Sequence, residues 1–448
     1  MAGVVHSTIR DLSRIRFFGD AEAAVGRCVL TPDFHKGAGI PVGTVLGTSG
    51  FVLPRCAGSD IGCGLRLVAT SLTVDEFDAI GPRLDAALRH TFFEGGRDIA
   101  FDERGREAIL RDGAPGVRPP SGGGGIWRSL DPATLERDLA RTHLGGSWPT
   151  RDCWAFGDYV RGSGGISRDA AIGSIGGGNH FVEMTATDEC LGRRACWDWG
   201  LRRNCVNVMV HTGSVGLGGM VGGHFTDLAR KLHPRGIAVP SHGFHPLPTV
   251  GPLAAHGEAY MSAMGLAANF AVVNRLMLAA LAVNCLSACA GRDIGATLVY
   301  DAPHNLVWRS GGGYLHRKGA CPAEMDHADP VFPGGHPVIL PGSMGDASYV
   351  LRGMGSAGSL CSAPHGAGRI AARGEGRRRD VSEMAKIRVV TKIDPARVRR
   401  DIADELQRTL MEEAPGAYKP VLPALDTVAG AGIAAAVARL RPLLTVKG

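Results

Sequence analysis

"GSDIGCGLRLVATSL", residues 58–72, joins a glycine-held loop to an apolar run. Asp60 and Cys63 sit three residues apart, spaced by Gly58, Gly62 and Gly64. Glycine is unfavourable inside helices and strands, so the loop has to be justified by what Asp60 and Cys63 do. The run after it reads as a strand. Upstream, "GIPVGTVLGTSGFVLP" (39–54) alternates short apolar runs with glycines, again strand and turn. Downstream, residues 74–112 are charged with a helical period, 113–125 ("GAPGVRPPSGGGG") read as a flexible loop, and a short helix is expected around 131–142. "VNVMVHTGS" (206–214), "ATLVYDAPHN" (296–305) and "PVILPGS" (337–343) are strands that run into polar loops. Residues 255–290 form one long helix, 396–412 a charged one, and "RPLLTVKG" follows. Strands and helices mix without βαβ alternation, which predicts an α+β fold. With no internal repeat, residues 1–448 are expected to form a single large domain around a deep cleft.

Composition narrows the class. The 65 glycines are about twice the usual share of ~7% and cluster in short loops. The formal charge of +6 permits a polyanionic partner without demanding one. Only seven of the 49 basic residues are lysine. Arginine suits bidentate phosphate contacts, although codon bias explains the skew equally well. The N-terminus lacks a signal-peptide core, and the most apolar stretch (269–291) is broken by Asn274, Arg275 and Asn284. The expectation is a cytoplasmic protein with reduced thiols and no membrane partner.

Histidines recur where strands meet glycine loops. They are His180 in "SIGGGNHFVE", His211 before "TGS", His304 after "LVYDAP" and His365 in "SAPHGAGR". Singly, a loop histidine is more often a surface group. Together with Asp60 and Cys63 they make a mixed O, S and N donor set, suited to zinc by softness or to manganese where positions stay open. "SIGGGNH", "HTGSVGLGG" and "PGSMGDAS" resemble phosphate cradles. Each is weak alone, and none is a P-loop.

These stretches, taken with "PDFHKGAGIPVG", "HNLVW", "HRKGA", "APGAYK" and the final "VKG", resemble the RtcB-type RNA ligases over almost the whole chain. The resemblance implies GTP- and manganese-dependent joining of RNA 3′-phosphate or 2′,3′-cyclic phosphate ends to 5′-hydroxyl ends. It implies His365 as the nucleophile that carries GMP. It implies two manganese ions, one held by Asp60, Cys63 and His180, the other by Cys63, His211 and His304, with the thiolate bridging. It places GTP on Asn179, Glu183, Asn305, Pro341, Gly342, Ser343, Met344, Ser348, His365, Gly366, Ala367, Gly368, Tyr418 and Lys447, with Glu183 reading guanine. An archease-type activator is a further implied partner.

The chain departs from the family's usual pattern at Ser59, Gly62, Val215 and Cys321–Pro322, where RNA phosphates are expected to be held, and in the segment after His365. Arg373, Arg377, Arg378 and Arg379 there are candidates for phosphate contacts. Two other readings compete, a dinuclear phosphohydrolase and a non-catalytic RNA-end binder. Neither needs a guanine-reading glutamate beside a nucleophilic histidine.

Overall fold

The apolar run after Cys63 does become a strand, and its register builds the site. The computed structural model describes residues 1–16, 23–37, 39–97, 99–119, 125–128, 130–162, 167–168, 171–370, 387–394 and 397–448. In it, Gly64–Thr73 lies between Thr297–Pro303 and Cys205–Thr212 in an eight-stranded sheet. The order continues through Phe181–Cys190, Ala434–Lys447, Ser348–Gly353 and Pro337–Leu340. Val389–Thr391 joins Ala434–Lys447 in parallel, while the other pairings are antiparallel. A mostly antiparallel sheet with helices packed on it is α+β, as the sequence predicts.

Register decides what meets. Leu65 and Phe181 both pair with His211, Pro303 pairs with Gly64, and Thr445 pairs with Glu183. Cys63, His180, His211, His304 and Lys447 therefore fall at one end of the sheet. His304 is the single residue between Thr297–Pro303 and Asn305–Ser310. The latter strand belongs to a second sheet, with Ala24–His35, Val42–Ser49 and Gly313–Lys318, so His304 sits where the sheets meet. In Ala24–His35, residues Thr31, Asp33 and His35 are all buried, on the one face that a period of two gives.

Behind the site runs the Ala254–Ala290 helix of 37 residues, about 55 Å long. It is long and apolar enough to cross a membrane, but its apolar window is wholly buried within the protein. That makes it a core helix, apolar on every side. Three of its polar residues each pin a loop. Asn269 accepts from the Trp148 N–H at 2.7 Å and donates to Leu110 O at 2.8 Å. Asn274 accepts from the Gly173 N–H at 2.7 Å and donates to Gly213 O at 3.2 Å. Arg275, fully buried, donates to Gly62 O at 2.6 Å, to Thr212 O at 3.1 Å and to Asp301 at 2.9 Å.

One expectation is corrected. Of the 113–125 stretch, residues 113–117 do not form a flexible loop. Ala114, Gly116 and Val117 are buried, and a Cβ on Gly113 would lie 2.1 Å from Gly146 O. Val117 and Ala114 give the segment an apolar face that packs, and residues 120–124 lie outside the described residues. The sequence leaves "RPLLTVKG" without an assigned element. It belongs to Ala434–Lys447, an interior strand of the large sheet. The segment 371–386, with its four arginines, lies outside the described residues.

Candidate active site

The loop at 58–64 turns on Gly62, whose φ is +75°. Here a Cβ would lie 2.9 Å from Ala271 Cβ and 3.0 Å from Ala268 Cα, so glycine lets the loop sit down on the long helix. Asp60 is crowded in the same way by Gly213, where a Cβ would come within 2.2 Å of its carboxylate. The turn is closed by the Cys63 N–H on Asp60 O at 3.2 Å and by the Gly62 N–H on Asn305 O at 2.9 Å.

Cys63 Sγ then lies 3.4 Å from His180 Nε2 and 3.3 Å from His211 Nε2. His180 Nε2 is 2.8 Å from Asp60, and His211 Nε2 is 3.4 Å from His304 Nε2. Burial pushes the Cys63 thiol well above its ordinary value, and the Asp60 carboxylate adds to this. Burial holds His211 and His304 neutral, and the neighbouring imidazoles reinforce it. For Asp60, burial works toward a higher value, but the His180 ring outweighs it and holds the carboxyl below the ordinary range. One sulfur and three imidazole nitrogens thus face each other, with lone pairs that too few protons can reconcile. The buried Nδ1 atoms of His180 and His304 have no hydrogen-bond partner. A cation shared by these donors removes the conflict and would deprotonate the thiol. The donor set fits a metal.

His143, Glu324 and His336 form a second cluster of possible ligands. It is already satisfied. The Trp308 indole donates to His143 Nε2 at 3.2 Å, which leaves the neutral ring's proton on Nδ1, facing the Tyr300 hydroxyl at 3.4 Å. That hydroxyl meets His336 Nδ1 at 3.1 Å, and His336 Nε2 meets Asp329 at 2.9 Å. A metal on His143 would need a proton on Nε2, where the indole already points one.

The metal-candidate cluster opens into a cleft of about 1220 Å³. Asp60, Cys63, Asn179, His180, Glu183, His211, Asn305, residues 341–344 and 365–368, Tyr418 and Lys447 all line it. Two expected contacts do not. His304 is 2% exposed behind His211, within reach of a metal but not of the cleft. Ser348 is buried, and its hydroxyl accepts the Gly342 N–H at 3.1 Å, so it shapes the 341–344 loop instead. Glu183 is buried, which raises its carboxyl to about 7 against the Thr445 hydroxyl at 2.8 Å and the Lys447 charge. Lys447 donates to His180 O at 3.0 Å. Tyr418 bonds Glu413, and the Arg369 guanidinium lies 4.9 Å over its ring.

His365 stands beside this cluster, its ring 4.6 Å from that of His304. Sequence reasoning missed what holds it. His365 Nδ1 is 2.6 Å from Asp33, which is fully buried and takes the Thr31 hydroxyl on its other oxygen at 2.5 Å. Lys419 secures that segment by donating to Phe34 O at 2.9 Å. Lys36 and Lys318 were missed as well, and both line the cleft. Burial lowers Lys318 to about 8. The signal was lysine's scarcity, since Lys36, Lys318 and Lys447, three of only seven, face this one cleft.

The departures from the family pattern divide. Cys321 is buried, its thiol bonding Pro364 O at 3.4 Å and Ala363 O at 3.5 Å, and Pro322 and Gly62 are buried too. None of the three lines the cleft. Ser59 and Val215 do. Val215 has φ +51°, a costly conformation for a β-branched residue.

A cluster of thiol, carboxyl and imidazoles that could hold a cation, opening beside a carboxylate-held histidine in a deep cleft, defines a candidate centre for group transfer. The family described as tRNA-splicing ligase RtcB matches residues 18–448. The tRNA-splicing ligase RtcB of Thermococcus kodakarensis is 32% identical over 94% of this chain and 87% of its own length. The RNA-splicing ligase RtcB of Mycobacterium bovis is 33% identical over 93% and 96%. That of Archaeoglobus fulgidus, a tRNA-splicing ligase RtcB, is 31% identical over 94% and 87%. The chain belongs to the RtcB family. It is an RNA ligase of tRNA splicing or RNA repair, and the hydrolase and binder readings are not favoured.

Proposed function

We propose that this ligase joins RNA 3′-phosphate or 2′,3′-cyclic phosphate ends to 5′-hydroxyl ends in the cytoplasm, using GTP and two manganese ions. The observation that carries the reading is the Asp33–His365 pair at 2.6 Å beside the Cys63 cluster. Asp33 accepts the Nδ1 proton, which leaves the Nε2 lone pair free to attack the α-phosphorus of GTP. The N–P bond forms as the bond to the leaving pyrophosphate breaks. A 2′,3′-cyclic end is first opened by water, which breaks the bond from phosphorus to the 2′-oxygen and leaves a 3′-phosphate; GMP then passes to an oxygen of that 3′-phosphate and frees His365. The 5′-hydroxyl attacks that activated phosphorus and GMP departs. Asp60, Cys63 and His180 would hold one ion, and Cys63, His211 and His304 the other. Bound there, manganese neutralises charge on the transferring phosphoryl group. Lys36 and Lys318 suit the phosphates, and Glu183, once ionised, accepts from guanine N1–H and N2–H₂, which adenine lacks. Eleven cysteines free of disulfides agree with a reducing compartment. An archease-type activator is a further partner of this reading.

Labelled GTP and Mn²⁺ test the first step. An acid-labile GMP adduct on wild type, lost in His365→Ala, is expected. No adduct, or one that survives that substitution, refutes the step. End joining of 3′-phosphate RNA tests the rest, and a good adduct without any joining would point to a different acceptor.

A further inference from the structure

Trp197 is 81% exposed. The tryptophans at 127, 148, 199 and 308 are all buried, and Trp154 is half-buried. Trp197 sits on the short helix Arg193–Trp199, inside "LGRRACWDWGLRRN" (191–204), which holds four arginines against one acid. Arg193 and Arg194 precede Trp197 by four and three residues, so they share its face of the helix. Arg202 and Arg203 follow on the exposed turn. Arg194 pairs with Asp198 at 2.8 Å. Among the described residues, the side chains of Arg193, Arg202 and Arg203 make no ion pair or hydrogen bond, and Trp197 makes no ring contact.

The segment is held firmly. The Leu191 and Gly192 N–H groups donate to Val437 O at 2.8 and 2.9 Å, while Cys196, Trp199 and Leu201 are buried. A helix this short does not stand alone, so these anchors fix where the ring points. A preset ring loses little entropy on binding. Its place is equally defined. Phe181–Cys190 runs from His180 at the metal cluster to Leu191, ten residues and roughly 30 Å at ~3.3 Å each.

We propose that residues 191–204 form a second RNA grip at the far end of the sheet, where Trp197 stacks on an unpaired base and Arg193, Arg202 and Arg203 hold the flanking phosphates. An exposed aromatic among unpaired arginines is the pattern of single-strand binding, where every base offers a π-face and the backbone supplies the negative charge. The proposal rests on the chain being an RNA ligase. It places the body of the substrate on the protein surface roughly 30 Å from the end that lies in the cleft.

The test measures binding and joining by the full chain with two 3′-phosphate RNAs, one too short to reach Trp197 from the cleft and one long enough. Trp197→Ala is expected to weaken the long RNA between about fivefold and a hundredfold, the range for losing one base stack, and to leave the short one unchanged. Trp197→Phe should restore most of the loss. Arg202→Ala with Arg203→Ala should flatten the salt dependence of long-RNA binding by about 1.4 in log–log slope. Equal loss with both RNAs, no loss with either, or a change only in self-association or in binding to a protein would overturn the proposal. If wild type bound neither RNA, the ligase reading itself would fail.

Discussion

Replacing Glu183 by glutamine should make the protein more stable, and only above about pH 4.5. Burial lifts this carboxyl from an ordinary 4.5 to about 7. Between 4.5 and 7 the folded chain keeps a proton that the unfolded chain has released. The group is therefore harmless to the fold below pH 4.5, opposes it increasingly from 4.5 to about 7, and opposes it by a constant amount above. At ~1.4 kcal/mol for each tenfold, the full cost above the window is about 3 kcal/mol. Glutamine cannot ionise, and its carbonyl still accepts the Thr445 hydroxyl that Glu183 takes at 2.8 Å. Urea unfolding of wild type and Glu183→Gln, followed by tryptophan fluorescence, should show a gap near zero at acid pH that widens to about 3 kcal/mol in alkali. A gap that is constant in pH, or that widens toward acid, refutes the buried-carboxyl account. The same proton should govern GTP. Guanine needs the carboxylate, so below pH 7 wild-type affinity should fall about tenfold per pH unit, while glutamine binds weakly and without that slope.

Asp33→Asn puts an amide donor against His365 Nδ1 and forces the ring proton onto Nε2; adduct formation should drop on the order of 10²- to 10⁴-fold while Mn²⁺ binding, read by calorimetry, stays intact. Cys63→Ala should lose Mn²⁺ binding and the GMP adduct together, and an adduct formed at the normal rate would remove the bridging role. Gly213→Ala sets a methyl 2.2 Å from the Asp60 carboxylate; metal affinity should fall about tenfold or more with little change in the unfolding midpoint.

How far the sequence reveals this site depends on how far each residue's partner lies along the chain. Asp60 and Cys63 announce themselves because their glycines are local. The histidines do so because each ends an apolar run. Asp33 does not, since 332 residues separate it from His365 and nothing in "PDFHKG" says that its carboxylate turns inward. Ser348 and His304 show the converse. Both are in motifs, yet neither faces the cleft, because a motif preserves a loop's interior supports along with its surface. Gly62 and Cys321 looked like losses to the RNA path and are buried packing choices, which only the neighbours Ala271 and Pro364 reveal. The α+β class was legible from the mixed order of strands and helices. The strand at 434–447 was not, because Pro442 and two arginines blur its alternation and its partners lie in three separate segments.

That strand bears on how the molecule is made. Residues 434–447 come after every other part of the site in chain order, yet they fill the middle of the sheet, between Phe181–Cys190 and Ser348–Gly353. Until they emerge from the ribosome, two apolar strands expose open hydrogen-bonding edges, a hazard for aggregation. Glu183 and His180 also lack Thr445 and Lys447 until then. A chain cut short by a truncated message would thus be both sticky and without a finished nucleotide pocket. For an enzyme that rejoins broken RNA, the integrity of its own message is a condition of its activity.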